Sequence, residues 1–156
     1  MNSGAAPSPA DSDPWLKRYA QGLGFLGWMP LAALLVLALL SPERTGQLLR
    51  VALIYAGTIL AFLGGVQWGL ALTSPSPRIR LRRLVAGMAP SLWAVTALVL
   101  PMTLCIVVLI CGFAVVLAYE TLERHDRIYP GWYLPLRTRL TTLMVLSLAA
   151  WLLLLP

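Results

Sequence analysis

The residues with the most obvious chemical potential crowd into one stretch, Glu120-Thr-Leu-Glu123-Arg124-His125-Asp126-Arg127. Carboxylates, an imidazole and guanidinium groups side by side are the parts from which general acid–base catalysis is assembled. Their spacing points elsewhere. Glu123 and Arg127 stand at i,i+4, where opposite charges pair on a helix surface, so the run reads as a helix end laced by ion pairs. His125 is the single histidine of the chain and reads as a solvated loop side chain. Cys105 and Cys111 are the remaining nucleophile or ligand candidates. Six residues apart on a helix they are turned by about 600° relative to each other, so their Cβ vectors diverge and a disulfide between them is not expected. They read as small apolar core residues. With no nucleophile–base pair and no set of residues at metal-ligand spacing, the sequence points to no catalytic residues, no metal, no cofactor and no enzyme.

The surrounding chain explains why. Its 156 residues are 59% hydrophobic and 12% charged, with mean hydropathy +0.79. A soluble domain carries about 25% charged residues. Gly22–Leu40 and Val51–Leu72 are uncharged apolar runs long enough to cross a bilayer. Leu84–Tyr119 is 36 residues without a charge. As one helix it would reach about 54 Å, far beyond a hydrocarbon core of about 30 Å, so it folds back on itself with Pro101 as the turn. Leu140–Leu155 completes the set. The expected fold is an all-α membrane protein, a compact bundle of five transmembrane helices over residues 22–40, 51–72, 84–100, 102–119 and 140–155. The Ser-, Ala- and Pro-rich start lacks the apolar core of a signal peptide and the arginines of a transit peptide. Residues 1–21 read as a disordered cytoplasmic tail ending in an interfacial anchor, Trp15, Lys17, Arg18 and Tyr19.

The net charge of +6 first suggests nucleic acid. Position removes that reading. With five spans, one side of the membrane receives Lys17, Arg18, Arg78, Arg80, Arg82, Arg83, Arg124, Arg127, Arg137 and Arg139, and the other only Arg44 and Arg50. That asymmetry places the N-terminus in the cytoplasm and the C-terminus outside. Arg78, Arg80, Arg82 and Arg83 form a tight basic loop that meets anionic headgroups. It has no aromatic platform for bases, so no nucleic-acid partner is expected. The expected location is a bacterial inner membrane.

Inside the five spans there is no Asp, Glu, Lys, Arg or His, which argues against proton-coupled transport or pumping. The informative polar residue is Gln67, near the cytoplasmic end of the second span. Trp28, Trp68 and Trp93, the prolines Pro30 and Pro90, and Ser91 lie at a similar depth. Trp28, Gln67, Trp68, Ser91 and Trp93 are therefore the candidate lining of a small cavity open to the cytoplasm, with an aromatic belt and ordinary kinks as the plainer reading. Gly57, Ala61, Gly65 and Gly69 recur every four residues and make a small-residue stripe for close helix packing, within the chain or against a second copy or other membrane partner.

Several segments together resemble a known family. Phe62-Leu-Gly64-Gly65-Val-Gln67-Trp68-Gly69, Gly24-Phe-Leu-Gly27-Trp-Met-Pro30, Pro90-Ser91-Leu-Trp93 and Trp132-Tyr133-Leu-Pro-Leu-Arg137-Thr-Arg139-Leu-Thr141 look like the pattern of the integral membrane family of unknown function that includes transmembrane protein 69, found in proteobacterial inner membranes and mitochondria. The resemblance covers residues 22–152 and implies a compact five-helix protein with no assigned reaction. The family pattern commonly has a His where this chain has Gln67. The tryptophan-rich sensory and translocator proteins share helix number and length, but their Pro/Trp motifs are missing here, and architecture alone does not carry function.

The functional expectation is a non-enzymatic integral membrane protein that binds an apolar or amphipathic small molecule in a cytoplasm-facing intramembrane pocket. The alternatives are a helix-packing assembly or scaffold factor and a small transporter of a neutral solute.

Overall fold

The computed structural model describes residues 13–74, 76–123 and 129–155, and within them the chain is helical. The elements are α1 (Pro14–Leu40), a 3-10 turn (Pro42–Arg44), α2 (Thr45–Thr73), α3 (Pro77–Leu98), α4 (Met102–Leu122) and α5 (Tyr133–Leu153). The tail before Asp13, and the expected pairing of Glu123 with Arg127 together with His125, lie outside the described residues.

Four helices, α1, α2, α3 and α5, start earlier than the apolar runs suggested, and at α1 the cap shows why. The Asp13 carboxylate accepts from the amides of Trp15 and Leu16 at 2.9 and 3.2 Å, with Pro14 at the first helical position. The anchor Trp15–Tyr19 is thus the opening of α1 rather than part of a disordered tail. Pro77 likewise opens α3, so Arg78–Arg83 belong to helix and not to a loop. At α5 the helix begins at Tyr133 and takes in Arg137 and Arg139. Absence of charge marks hydrocarbon, whereas proline and capping side chains mark helix. The turn between α3 and α4 falls at Pro101 as expected.

Among the described residues, four helices can cross a membrane by length and composition: α1, α2 with its preceding turn, α4 and α5. α3 falls short of that description because its first turns carry four arginines. α2 is central, packing against α1, α3 and α4. α4 also packs on α3 and α5, and α1 closes the bundle on α5. Gly24 of α1 lies beside Leu140 of α5, and the Trp28 indole donates to Ser147 Oγ at 3.0 Å. Both contacts ascend together, so α1 and α5 run parallel. Leu31, Leu49, Leu60, Ile106, Leu109, Phe113, Leu148 and Trp151 form the fully buried core.

The closest helix approach is shifted by one residue from the expected stripe. Gly57 does face α3, where an added Cβ would lie 3.1 Å from Leu98, and Ala61 is half-buried. Gly65 and Gly69, however, look outward with nothing within 4 Å. The contact runs instead through Gly64 and Gly87: a Cβ on Gly64 would collide with the Gly87 carbonyl, and one on Gly87 would lie 2.7 Å from the Gly64 carbonyl. The Trp68 indole covers Gly87. The same device repeats one helix along, where the Trp93 indole lies over Gly112 and donates to the Val108 carbonyl at 2.7 Å. Two indole-on-glycine contacts therefore step from α2 to α3 to α4, and in a bilayer such backbone approach supplies the van der Waals contact that drives helix association.

Gly64→Ala and Gly87→Ala are expected to destabilise the protein by about 1–3 kcal/mol through overpacking against backbone. Gly65→Ala and Gly69→Ala should leave the midpoint of thermal unfolding in detergent unchanged or slightly raised. Equal sensitivity at Gly64 and Gly65 would contradict this packing.

Candidate functional site: a buried ionic network and its flanking cavities

Carboxylates at i and i+3 share a helix face. On α4 and its C-cap those positions are Glu120 and Glu123, and both turn inward: Glu120 is 0% and Glu123 6% exposed. A buried carboxylate must be paired and hydrogen-bonded to offset its desolvation. Glu120 accepts from Arg137 Nε on α5 at 2.9 Å and from the Tyr133 hydroxyl at 3.1 Å. Glu123 accepts from Arg82 Nη2 at 2.6 Å, from Arg83 Nε at 3.4 Å and from the Tyr119 hydroxyl at 2.8 Å. Arg83 also reaches back to α2, donating to Ser74 Oγ at 2.5 Å and to the Leu70 carbonyl at 3.4 Å. One end of the bundle is therefore tied together by charge.

One expectation changes at this point. The ionisable side chains of the network lie just beyond the limits of the uncharged runs, as expected, but the four basic residues assigned to headgroups divide by helical phase. Arg78 and Arg80 are exposed, with Arg80 Nη2 donating to the Ser74 carbonyl at 2.9 Å. Arg82 is half-exposed on its carboxylate partner, and Arg83 is only 2% exposed. Arg83 is thus a buried structural cation rather than a headgroup contact. The sequence carried a signal for this in the three-residue spacing of Glu120 and Glu123, but helix-end charge usually faces water.

Gln67 joins the same end. Buried to 2% exposure, it donates from Nε2 to the Tyr129 hydroxyl at 2.9 Å. Tyr129 stacks on Tyr133 with ring centroids 4.7 Å apart and planes 4° from parallel. Burial pushes the Tyr129 phenol above its ordinary pKa; donation from Gln67 lowers it, and the carboxylates of Glu120 and Glu123 raise it. Tyr129 is therefore a neutral hydroxyl across the physiological range. A continuous polar line runs Gln67–Tyr129–Tyr133–Glu120–Arg137.

An apolar cavity flanks each end of that line. The first, about 130 Å³, lies between α2, α3 and α4, with Gln67, Pro90, Trp93 and Tyr119 in its wall. Gln67 Oε1 has no partner among the described residues. Either orientation of the amide leaves one of its two ends unpaired beside the cavity. The second cavity, also about 130 Å³, lies between α1, α2 and α5, where Trp28 meets Arg137 and Thr141. Of the five residues expected to share one cavity, Gln67 and Trp93 meet. Trp68 and Ser91 line a separate outward groove, and Trp28 belongs to the second cavity. Arg137, Thr141 and Tyr129 were not anticipated. Arg137 and Thr141 stand at i,i+4, but both read as ordinary flanks of a span. Cys105 is buried and Cys111 exposed on α4, unbridged.

Removing Glu123 by substitution to Gln is expected to cost about 3–5 kcal/mol, because it takes away a buried carboxylate that pairs with the buried Arg83. Arg78→Ala, on the exposed face, should change stability by less than about 0.5 kcal/mol. Chemical denaturation in mild detergent measures both, and equal effects would contradict the burial of Arg83.

Comparison with known proteins relates the chain to a transmembrane protein. Transmembrane protein 69 of Xenopus tropicalis is 36% identical over 97 residues, covering 60% of this chain and 38% of that protein. The chain thus spans well under half the length of that relative. No solved structure matches. A family profile described as protein of unknown function (DUF3429) matches residues 16–153. Set beside the apolar helices, that match over nearly the whole chain makes this a membrane protein of the DUF3429 family, to which the chain belongs.

Proposed function

We propose that the protein is a non-enzymatic multi-pass protein of a bacterial inner membrane, which holds an apolar or amphipathic small molecule in the cavity between α2, α3 and α4. The unpaired amide end of Gln67, buried in the wall of an otherwise apolar cavity, is the observation that carries this reading. A pocket with apolar walls and one oriented polar group is the usual form of a small-molecule site. The fitting ligand has a flat or branched apolar body and a single hydrogen-bonding group. Its body meets Pro90, Trp93 and Val116, and its polar group replaces the missing partner of Gln67.

In this reading all five helices span the bilayer, with the N-terminus in the cytoplasm and the C-terminus outside. Two observations support it. The charged network and the exposed Arg78 and Arg80 share one end of the bundle with Lys17 and Arg18. Arginines at the start of α3 also belong at a cytoplasmic boundary, where they meet anionic headgroups. A second reading, an assembly role, has support from the outward groove around Ala61, Gly65, Trp68 and Ser91, whose glycines leave room for another helix. Gly65→Leu separates the two, because it fills that groove without touching the cavity.

Native mass spectrometry of the detergent-extracted protein tests the binding role. The wild type is expected to carry a bound small molecule, and Gln67→Leu, which keeps the volume but removes the amide, should reduce its occupancy about tenfold. Equal occupancy in wild type and Gln67→Leu, or a wild type with nothing bound, would refute it. In a bacterial host, a fluorescent protein fused at the C-terminus should remain dark, and bright fluorescence would overturn the assigned orientation.

A further inference from the structure

The second cavity holds a different kind of unmet chemistry. Arg137 and Thr141 stand at i,i+4 on α5, which sets them on one face, one turn apart. Both line the cavity between α1, α2 and α5, and both are more than nine-tenths buried, at 8% and 4% exposure. Arg137 uses its Nε edge on Glu120. Its Nη2, and the Thr141 hydroxyl, are buried and have no partner among the described residues. The third polar group in the wall, the Trp28 indole N–H, is already spent on Ser147. A guanidinium is a planar fork that engages a carboxylate on one edge while another partner holds the other.

The rest of the wall is apolar, with Ile59, Phe113 and Met144 on the inner side. Leu23 and Phe62 form its outer rim and are 67% and 71% exposed, so the cavity opens sideways through the face that lipid would cover. Space is available on α1 as well. An added Cβ on Gly27, in the cavity wall, meets nothing within 4 Å.

We infer that this cavity is a second binding site, for the carboxylate end of a single-chain amphiphile such as a long-chain fatty acid. One carboxylate oxygen takes Arg137 Nη2 and the other takes the Thr141 hydroxyl, and the chain leaves between Leu23 and Phe62 into the bilayer. Glu120 fixes the guanidinium from behind, so it is a positioning residue for this site. A cationic head is repelled by Arg137, and a neutral ester offers an acceptor without the charge that a guanidinium selects. The site shares no polar ligand group with the Gln67 cavity, so the two stand or fall separately.

The test is photolabelling of the full chain in phosphatidylcholine nanodiscs with a diazirine-bearing fatty acid, competed by oleate, methyl oleate or oleylamine. Adducts are expected on Leu23–Trp28 and Leu140–Met144, displaced by oleate and not by the ester or the amine. Thr141→Val removes a hydroxyl that is unpaired in the ligand-free protein. It should leave thermal stability unchanged or raised while weakening oleate competition about tenfold. Gly27→Leu fills the cavity and should abolish specific labelling. Gln67→Leu should leave labelling intact. Labelling spread evenly over the helices, or unaffected by both Thr141→Val and Gly27→Leu, would overturn the site. Competition by methyl oleate as strong as by oleate would overturn the carboxylate assignment.

Discussion

Everything at the charged end of this bundle depends on keeping two carboxylates out of water. Glu120 and Glu123 lie one turn apart, at the inner face of the end of α4 and at its C-cap, and each draws in partners from other helices. Glu120 holds Arg137 and Tyr133 of α5, while Glu123 holds Arg82 and Arg83 of α3. Through Arg83 the tie extends to Ser74 and Leu70 at the end of α2. Hydrophobic burial cannot choose among helix arrangements in a bilayer, since lipid is as apolar as the core. Charge pairing can, because any arrangement that strands a buried carboxylate or guanidinium carries a large desolvation penalty.

Glycine does the complementary work along the spans. The Gly64–Gly87 approach and the indoles of Trp68 and Trp93 laid over Gly87 and Gly112 bring α2, α3 and α4 together without large interlocking side chains. Close packing on that seam, and the requirement that polar groups gather at one end, leave two small voids beside the core. Each void borders one end of the polar line from Gln67 to Arg137. Those are the places where fixed hydrogen-bonding groups face apolar space, which is what a binding site for a membrane-soluble molecule requires.

Much of this was legible in the sequence, and the remainder has identifiable causes. Uncharged runs gave the helices and the Pro101 turn, because both follow from local rules. Helices begin several residues before the uncharged runs at Pro14, Thr45, Pro77 and Tyr133, since the absence of charge reports on hydrocarbon and not on where backbone hydrogen bonding begins. The four-residue stripe divides between two faces: Gly57 meets α3, Gly65 and Gly69 look outward, and the close backbone contact is made by Gly64 and Gly87, because only the partner helix decides which glycine is covered. Gln67 and Trp93 do meet, whereas Trp28, Trp68 and Ser91 are distributed to other surfaces by helical phase. The inward turn of Glu120, Arg83 and Arg137 was the least legible feature. Charged residues at span ends normally face water, and nothing local distinguishes the ones that do not.

A double-mutant cycle across Glu120 and Arg137 tests the central claim most directly. Glu120→Leu and Arg137→Leu are each expected to cost about 3–5 kcal/mol of stability in detergent, because each leaves its partner charged and unpaired in the interior. The double variant should recover most of that loss, giving a coupling energy of about 2 kcal/mol or more. Additive losses, with no recovery when both charges are removed, would show that the pair does not hold α4 to α5 and would contradict the account.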